Sequence, residues 1–402
     1  MRPHLLCIGG EDHALRIPFL VALRERGFRV TAAGTGAAEP FAAAGLDFRP
    51  FRFRRFVNPW ADWTAVRALG ALIVDVRPEI IQSFDTKPAL LAPFAGRRAP
   101  GVLVVRTING MGWLYSSRGP SALALRLAYR VLHRLASRST TTTVFQNHVD
   151  ARFFHRHGMA AKAASRLIAG SGVDITGFDQ ALASGPSEAE LRDTLGLGRS
   201  DVIMTVTRLT RQKGIPTLLE AARLVHQERP DARFLLVGPR ESEGPFAISQ
   251  AELDRHSPYV RAIGRRDDVP SLLRLADAFA FPTEYREGIP RALLEAALAG
   301  LPIIATDMPG CTDVVRDGWS GFVVPPRSPR ALADRILEVL ADRHAAREMG
   351  GRASALVRQE FGLDLVAARY AALYTELLAR DFRSEGRGGI RPELAYEWQR
   401  RT

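Results

Sequence analysis

Two α/β domains, each a doubly wound parallel sheet and the pair facing a cleft, are predicted by three observations on this 402-residue sequence. Short apolar runs alternate with amphipathic helical patterns along most of it, as in successive parallel βα units. The alternation lapses once, beyond residue 175, and then restarts. The length also exceeds what one hydrophobic core usually serves.

The elements follow in order. Strands are predicted at 4–8, 28–32, 79–83, 102–106 and 142–145. A helix over 15–26 ends at Gly27, completing a βαβ opening. Segment 175–200, rich in Gly, Ser, Ala and Asp without an apolar run, reads as a linker. Beyond it, strands at 201–207, 233–238, 260–263, 278–281 and 302–306 alternate with helices at 215–228, 269–276, 290–299 and 330–341. Apolar Phe361, Leu363, Val366, Tyr370, Leu373, Tyr374 and Leu377 predict an amphipathic helix over 361–380, expected to return to the first domain. The expected division is 1–175, 176–360 and a polar, Arg-rich tail over 382–402.

Composition narrows the class. Hydrophobic residues make up 46% and charged residues 24%, which excludes disordered and collagen-like chains. No run of 18 apolar residues occurs, so no membrane-spanning helix is expected. Met1-Arg2-Pro3 leads straight into an apolar strand and is too short for a signal peptide. Cys7 and Cys311 lack metal-ligand spacing and fit a reducing, cytoplasmic compartment. Lys and Arg number 55 against 43 Asp and Glu, a net +12, which points to phosphates, anionic lipid or nucleic acid. Nucleic acid is disfavoured, since the arginines are scattered or amphipathic and form no recognised binding module.

The chemistry concentrates in Pro282-Thr283-Glu284-Tyr285-Arg286-Glu287-Gly288-Ile289-Pro290-Arg291-Ala292-Leu293-Leu294-Glu295. Pro290 suits the first helical position, which sets Gly288 and Ile289 at a helix N-terminus where backbone N–H groups attract anions. Glu287 precedes the helix, and Glu295 lies roughly 7–8 Å further along it. Carboxylates repel phosphate, so both are expected to accept hydrogen bonds from hydroxyls. A sugar nucleotide offers these on either side of its diphosphate: the hexose for Glu287, the ribose for Glu295. Arg208 and Lys213 follow the buried strand at 202–206, where cations can neutralise a departing diphosphate.

Residues 208–214, the Glu287/Glu295 pair, Ala305-Thr306-Asp307-Met308-Pro309-Gly310-Cys311 and 318–325 resemble the retaining glycosyltransferases of family 4. Thr107-Ile108-Asn109-Gly110-Met111-Gly112, Phe145-Gln146-Asn147 and Gly170-Ser171-Gly172-Val173-Asp174 are similar to the branch that extends polyprenyl-diphosphate-linked saccharides for capsule, O-antigen or glycan assembly. The resemblance covers about 1–380. It implies the GT-B fold, a first domain for the acceptor and a second for a UDP-sugar, retention, and no bound metal or cofactor, the UDP-sugar being a co-substrate.

Residue by residue, it implies that Arg208, Lys213 and the amides of Gly288 and Ile289 meet the diphosphate. Glu287 would hold the donor sugar and Glu295 the ribose. The base would lie near 261–264, with Gly264, and behind Gly238, while Gly9 and Gly10 would allow close approach from the first domain. Asn109 stands where the family commonly has His. Asn cannot take up a proton near neutral pH, so a polar contact to the donor sugar is expected there.

Two basic segments suggest how a lipid-linked acceptor is met. Phe48-Arg49-Pro50-Phe51-Arg52-Phe53-Arg54-Arg55-Phe56 runs on to Trp60 and Trp63. A helix over 121–139 carries Arg126, Arg130 and Arg134 on one face. Cationic amphipathic helices lie in anionic interfaces, and arginines suit a lipid diphosphate. Peripheral attachment to the cytoplasmic face of the inner membrane is the expectation. The rivals are a transferase with a soluble acceptor, a sugar-nucleotide epimerase and a catalytically inactive protein of the same fold.

Overall fold

The protein is described from a computed structural model covering residues 2–10, 13–54, 58–116, 119–170, 172–240, 244 and 246–384. Arg55, Ser171 and the segment beyond 384 lie outside the described residues.

The first sheet has seven parallel strands: β1 His4–Ile8, β2 Arg29–Gly34, β3 Asp47–Pro50, β4 Ile80–Ser83, β5 Leu103–Ile108, β6 Thr142–Phe145 and β7 Ser165–Leu167. Their order is β3-β2-β1-β4-β5-β6-β7. Successive side chains of β1 alternate faces, so Leu5 and Cys7 enter one core layer and Leu6 and Ile8 the other. Both faces being covered explains the unbroken apolar run of this strand. One covering helix is Leu363–Ser384, at the far end of the chain. Its Val366, Tyr370 and Tyr374 pack with Leu5 and Phe19. The Tyr374 hydroxyl donates to Gln82 Oε1 at 2.9 Å, so a buried polar pair fixes the helix as well.

The second sheet has six parallel strands: β8 Val202–Val206, β9 Arg233–Val237, β10 Val260–Ala262, β11 Ala278–Phe281, β12 Ile303–Thr306 and β13 Gly321–Val324. Their order is β10-β9-β8-β11-β12-β13. Val202 and Met204 face one layer and Ile203 the other, again by alternation. Two such sheets, opposed across a cleft, are the GT-B fold.

Segment 175–200 is not a linker. It forms helices Ile175–Ser184 and Glu188–Thr194, and Phe178, Leu191, Leu195 and Leu197 enter the second core. Asp174 caps the first by accepting from the Gly177 amide, and Ser187 with Glu190 forms a capping box on the second. The apolar residues lie too far apart to read as a run, yet the cap residues mark both starts. The short strands β3, β7 and β13 also lie outside the predicted set. Each is an edge strand of three or four residues; β3 and β7 carry little apolar signal, and β13 offers only the three-residue run Phe322–Val324.

Candidate active site

In each sheet the strand order reverses once, between β1 and β4 and between β8 and β11. Loops leaving adjacent strands diverge there and open a crevice beyond their carboxyl ends. The two crevices share one cavity of about 490 Å³, lined by Gly10, Asn109, Arg208, Lys213, Glu287 and Ile289 among others.

On the second-domain wall the chain leaves β8, makes a short 3-10 turn at Arg211–Lys213 and enters helix Ile215–Glu228. This turn buries Lys213 and aims its ammonium at Glu287 Oε1, 2.6 Å away. Thr283 Oγ1 donates to the same oxygen at 3.3 Å. The Tyr285 and Phe281 rings stand 5.0 and 5.9 Å from the ammonium, adding cation–π attraction. Arg208 lines the cavity half-buried. The predicted separation of roles, Lys213 for phosphate and Glu287 for hydroxyls, thus meets a direct ion pair.

Helix Arg291–Leu298 has Pro290 as its N-cap, with ψ 119°, rather than as its first helical residue. Glu295 accepts from Arg291 Nε at 2.7 Å, one turn back, and only 16% of its side chain is exposed. The Ile289 amide donates to Gln146 Oε1 at 3.1 Å. In this arrangement it therefore holds a first-domain side chain at the position the resemblance gave to diphosphate. A Cβ on Gly288 would fall 1.7 Å from that oxygen, which is why glycine stands there. Gly238 and Gly264 meet at the carboxyl ends of β9 and β10, where the Gly238 amide donates to the Gly264 carbonyl at 2.8 Å.

The first-domain wall is organised by Asp85, which follows β4 with φ +68°. It accepts from the Gly10 amide at 2.8 Å and from Arg16 through both oxygens, at 3.1 and 2.5 Å. Burial pushes its pKa up, but Arg16, the Gly10 amide and His13 outweigh that and hold it below the usual value. In the amide orientation its neighbours require, Asn109 donates to the Thr107 carbonyl and accepts from Arg16, each at 3.2 Å. Asn109 thus fixes the guanidinium beside the cavity. Arg54 lines the same wall, and Arg52 is exposed nearby on the chain.

The domains meet beside the site. Arg286 Nη2 donates to Asp150 Oδ1 at 2.9 Å, and the carboxylate is fully buried. Burial raises the Asp150 pKa, partly offset by Arg286 and Asn147. Asn147 Nδ2 reaches the Glu287 carbonyl at 3.4 Å. Gly110, with φ +91°, lies where a Cβ would come 2.4 Å from the Arg286 carbonyl. Arg16, Asp85, Gln146, Asp150 and Arg286 had no role from sequence. Their signal was position, since four of the five follow a strand's carboxyl end.

The arginines of helix Pro120–Ser137 turn toward the protein. Arg126 Nε donates to the Leu114 carbonyl at 3.0 Å, Arg130 Nε to the Tyr115 hydroxyl at 3.3 Å and Arg134 Nε to the His157 carbonyl at 2.7 Å. An arginine face presented outward was expected; Arg126 and Arg130 are instead half-buried against helix Gly112–Ser116, while Arg134 bonds inward through Nε and stays exposed.

Residues 19–168 match the family described as glycosyl transferase 4-like domain, and residues 200–342 the family described as glycosyl transferases group 1. The N,N'-diacetylbacillosaminyl-diphospho-undecaprenol alpha-1,3-N-acetylgalactosaminyltransferase of Campylobacter jejuni is 23% identical over 373 residues, 92% of this chain and 97% of its own. The GDP-mannose-dependent alpha-(1-6)-phosphatidylinositol monomannoside mannosyltransferase of Mycobacterium tuberculosis is 30% identical over 297 residues, 70% of this chain and 72% of its own. Among solved structures, Anabaena HepE in complex with UDP and glucose superposes with a TM-score of 0.76 at 19% identity, covering 93% of this chain and all of that one. With the two facing switch-point crevices, these matches establish that the chain belongs to the GT-B glycosyltransferases of family 4.

Proposed function

We propose that this glycosyltransferase moves a hexose or N-acetylhexosamine from a UDP-sugar to a polyprenyl-diphosphate-linked saccharide, with retention, in surface polysaccharide or glycan assembly. The observation that carries the reading is the buried Lys213, which lines with Arg208 a cavity that the first domain closes from the other side. Two cations at a strand end can stabilise a departing diphosphate without a bound metal. The UDP-sugar is then a co-substrate, and no further cofactor is assigned.

In this reading residues 1–175 meet the acceptor and 176–360 the donor. Glu287 and Asn109 hold the sugar, Glu295 the ribose, and Gly238 and Gly264 border the base. The acceptor oxygen bonds to the anomeric carbon as the bond to the diphosphate breaks, on the same face. Its proton passes to a donor phosphate oxygen. A covalent glycosyl-enzyme trapped during turnover would overturn this route.

The lipid-linked acceptor is supported by the undecaprenol-linked substrate in the name of the Campylobacter relative. In the same reading the enzyme works at the cytoplasmic face of the inner membrane, with peripheral attachment. A donor-hydrolysis screen over UDP- and GDP-sugars, followed by transfer to a synthetic lipid-diphosphate sugar, tests the reading. Turnover of a UDP-sugar onto the lipid acceptor supports it. Exclusive use of a GDP-sugar, transfer only to a soluble sugar, or epimerisation of donor alone would each replace it.

A further inference from the structure

The helix Pro120–Ser137 is mounted inside out. Its buried positions include Tyr129 and His133, and His133 Nδ1 lies 3.1 Å from Nη1 of the fully buried Arg106. Arg106 also reaches Thr143 Oγ1 and the Met159 carbonyl, so a polar network ties the helix down. Arg126 and Arg130 add bonds to Leu114 and Tyr115 of the neighbouring helix Gly112–Ser116, and Arg134 one to the His157 carbonyl. Apolar residues cover the opposite side: Leu123 is 52% exposed, Leu127 69%, Val131 43% and Leu132 42%. Spacings of four residues set Leu123, Leu127 and Val131 in one row.

An ordinary surface helix buries this row and exposes its arginines. Water alone does not account for the reverse, because a contiguous apolar ridge marks an interaction site. Charge selects the occupant. Between Asp85 and Asp150 the sequence contains no acidic residue, while its arginines include Arg97, Arg98, Arg126, Arg130, Arg134 and Arg138. Arg134 and Arg138 are exposed at the end of the ridge. An apolar row on a segment that carries cations and no carboxylate matches an anionic lipid surface, where side chains enter the acyl boundary and guanidiniums meet headgroups. A second copy would bring its own cations against these.

Position agrees with that occupant. Arg126 bonds to Leu114 in helix Gly112–Ser116, and Ser116 Oγ accepts from the Arg286 amide at the domain junction. The ridge therefore begins beside the cleft. Across helix Thr86–Gly96, which packs against both, lies helix Pro59–Val76 with Trp60 72% and Trp63 48% exposed.

We propose that Leu123, Leu127, Val131 and Leu132 insert into the anionic membrane surface, with the arginine side of the helix serving as its mount. This deepens the reading of a lipid-linked acceptor, and its binding measurement needs neither donor nor acceptor. The full chain is floated with vesicles of phosphatidylcholine alone, or with about a third phosphatidylglycerol, and compared with Leu123→Glu/Leu127→Glu. The expected results are binding to anionic vesicles, much weaker binding to neutral ones, and a loss of about tenfold or more in the double variant. Unchanged melting temperature and circular dichroism identify a folded variant. Equal binding by both proteins overturns the proposal. So does a wild-type dimer that the variant dissolves while neither protein binds vesicles, which would assign the ridge to a second copy.

Discussion

The ammonium of Lys213 lies 2.6 Å from Oε1 of Glu287, although the two residues leave different strands of the second sheet. Each partner is largely buried, so each charge depends on the other for compensation. Removing one leaves an uncompensated charge at the donor site, which a surface pair would not do.

The first prediction concerns this pair. Lys213→Ala is expected to weaken UDP binding and to reduce turnover by about 10²–10³-fold. Glu287→Ala is expected to reduce turnover by a similar factor while moving nucleotide affinity less. Because the charges are coupled, the double variant should lose far less than the product of the single losses. UDP titration and initial rates across the four proteins give the coupling. Strictly multiplicative losses would show that the two side chains act separately in the working enzyme.

Glu295 and Arg291 separate a ligand role from a helix role. The pair is spaced four residues apart, and such pairs contribute about 0.3–0.5 kcal/mol to a helix. A purely helical function predicts small, matching effects of Arg291→Ala and Glu295→Ala on stability and none on nucleotide binding. The ribose assignment predicts a different pattern. Glu295→Ala should weaken UDP binding about tenfold, while Arg291→Ala, which frees the carboxylate, should preserve or strengthen it. Calorimetric titration of both variants distinguishes the two patterns.

How much was legible beforehand follows from what each signal measures. The second-domain strands β8 to β12 were readable because fully buried parallel strands carry continuous apolar runs, as at Val202–Val206 and Ile303–Thr306. Arg208, Lys213 and Glu287 were readable because they follow such runs. Segment 175–200 was misread since its buried residues Phe178, Leu191 and Leu195 are spread over two short capped helices. The inward turn of Arg126, Arg130 and Arg134 was hidden for another reason. Amphipathicity defines two faces of a helix but not which one meets the protein, and buried Arg106 decides that from a distant strand.

Acid should destabilise the first domain through His13. Its ring is fully buried, and burial together with Arg16 lowers its pKa to about 4 from the ordinary histidine value near 6.5. The folded state thus binds fewer protons than the unfolded chain between those values. Stability present above about pH 6.5 is lost as pH falls toward 4, at up to about 1.4 kcal/mol per pH unit from this group. Urea unfolding at pH 7 and pH 5 measures the loss. His13→Leu should flatten the dependence, and an equally steep slope in the variant would assign it to other groups.

Finally, Arg286 and Asp150 form an ion pair between the domains, with Asp150 fully buried and Arg286 Nε without a hydrogen-bond partner among the described residues. The pair stands one residue from Glu287, so it couples the spacing of the two walls to the donor site. Asp150→Ala strands a guanidinium where water has little access, and breaking such a pair costs about 3–5 kcal/mol. Asp150→Asn retains a hydrogen-bond acceptor and should lose less. Both variants should lower turnover more than UDP binding, because UDP is read by the second domain while transfer needs both walls in register. Melting temperature, UDP affinity and initial rate, measured together, check this order. Equal loss of UDP affinity and turnover would instead mean that the pair shapes the donor pocket itself, and a melt unchanged in Asp150→Ala would mean that the domains separate freely without it.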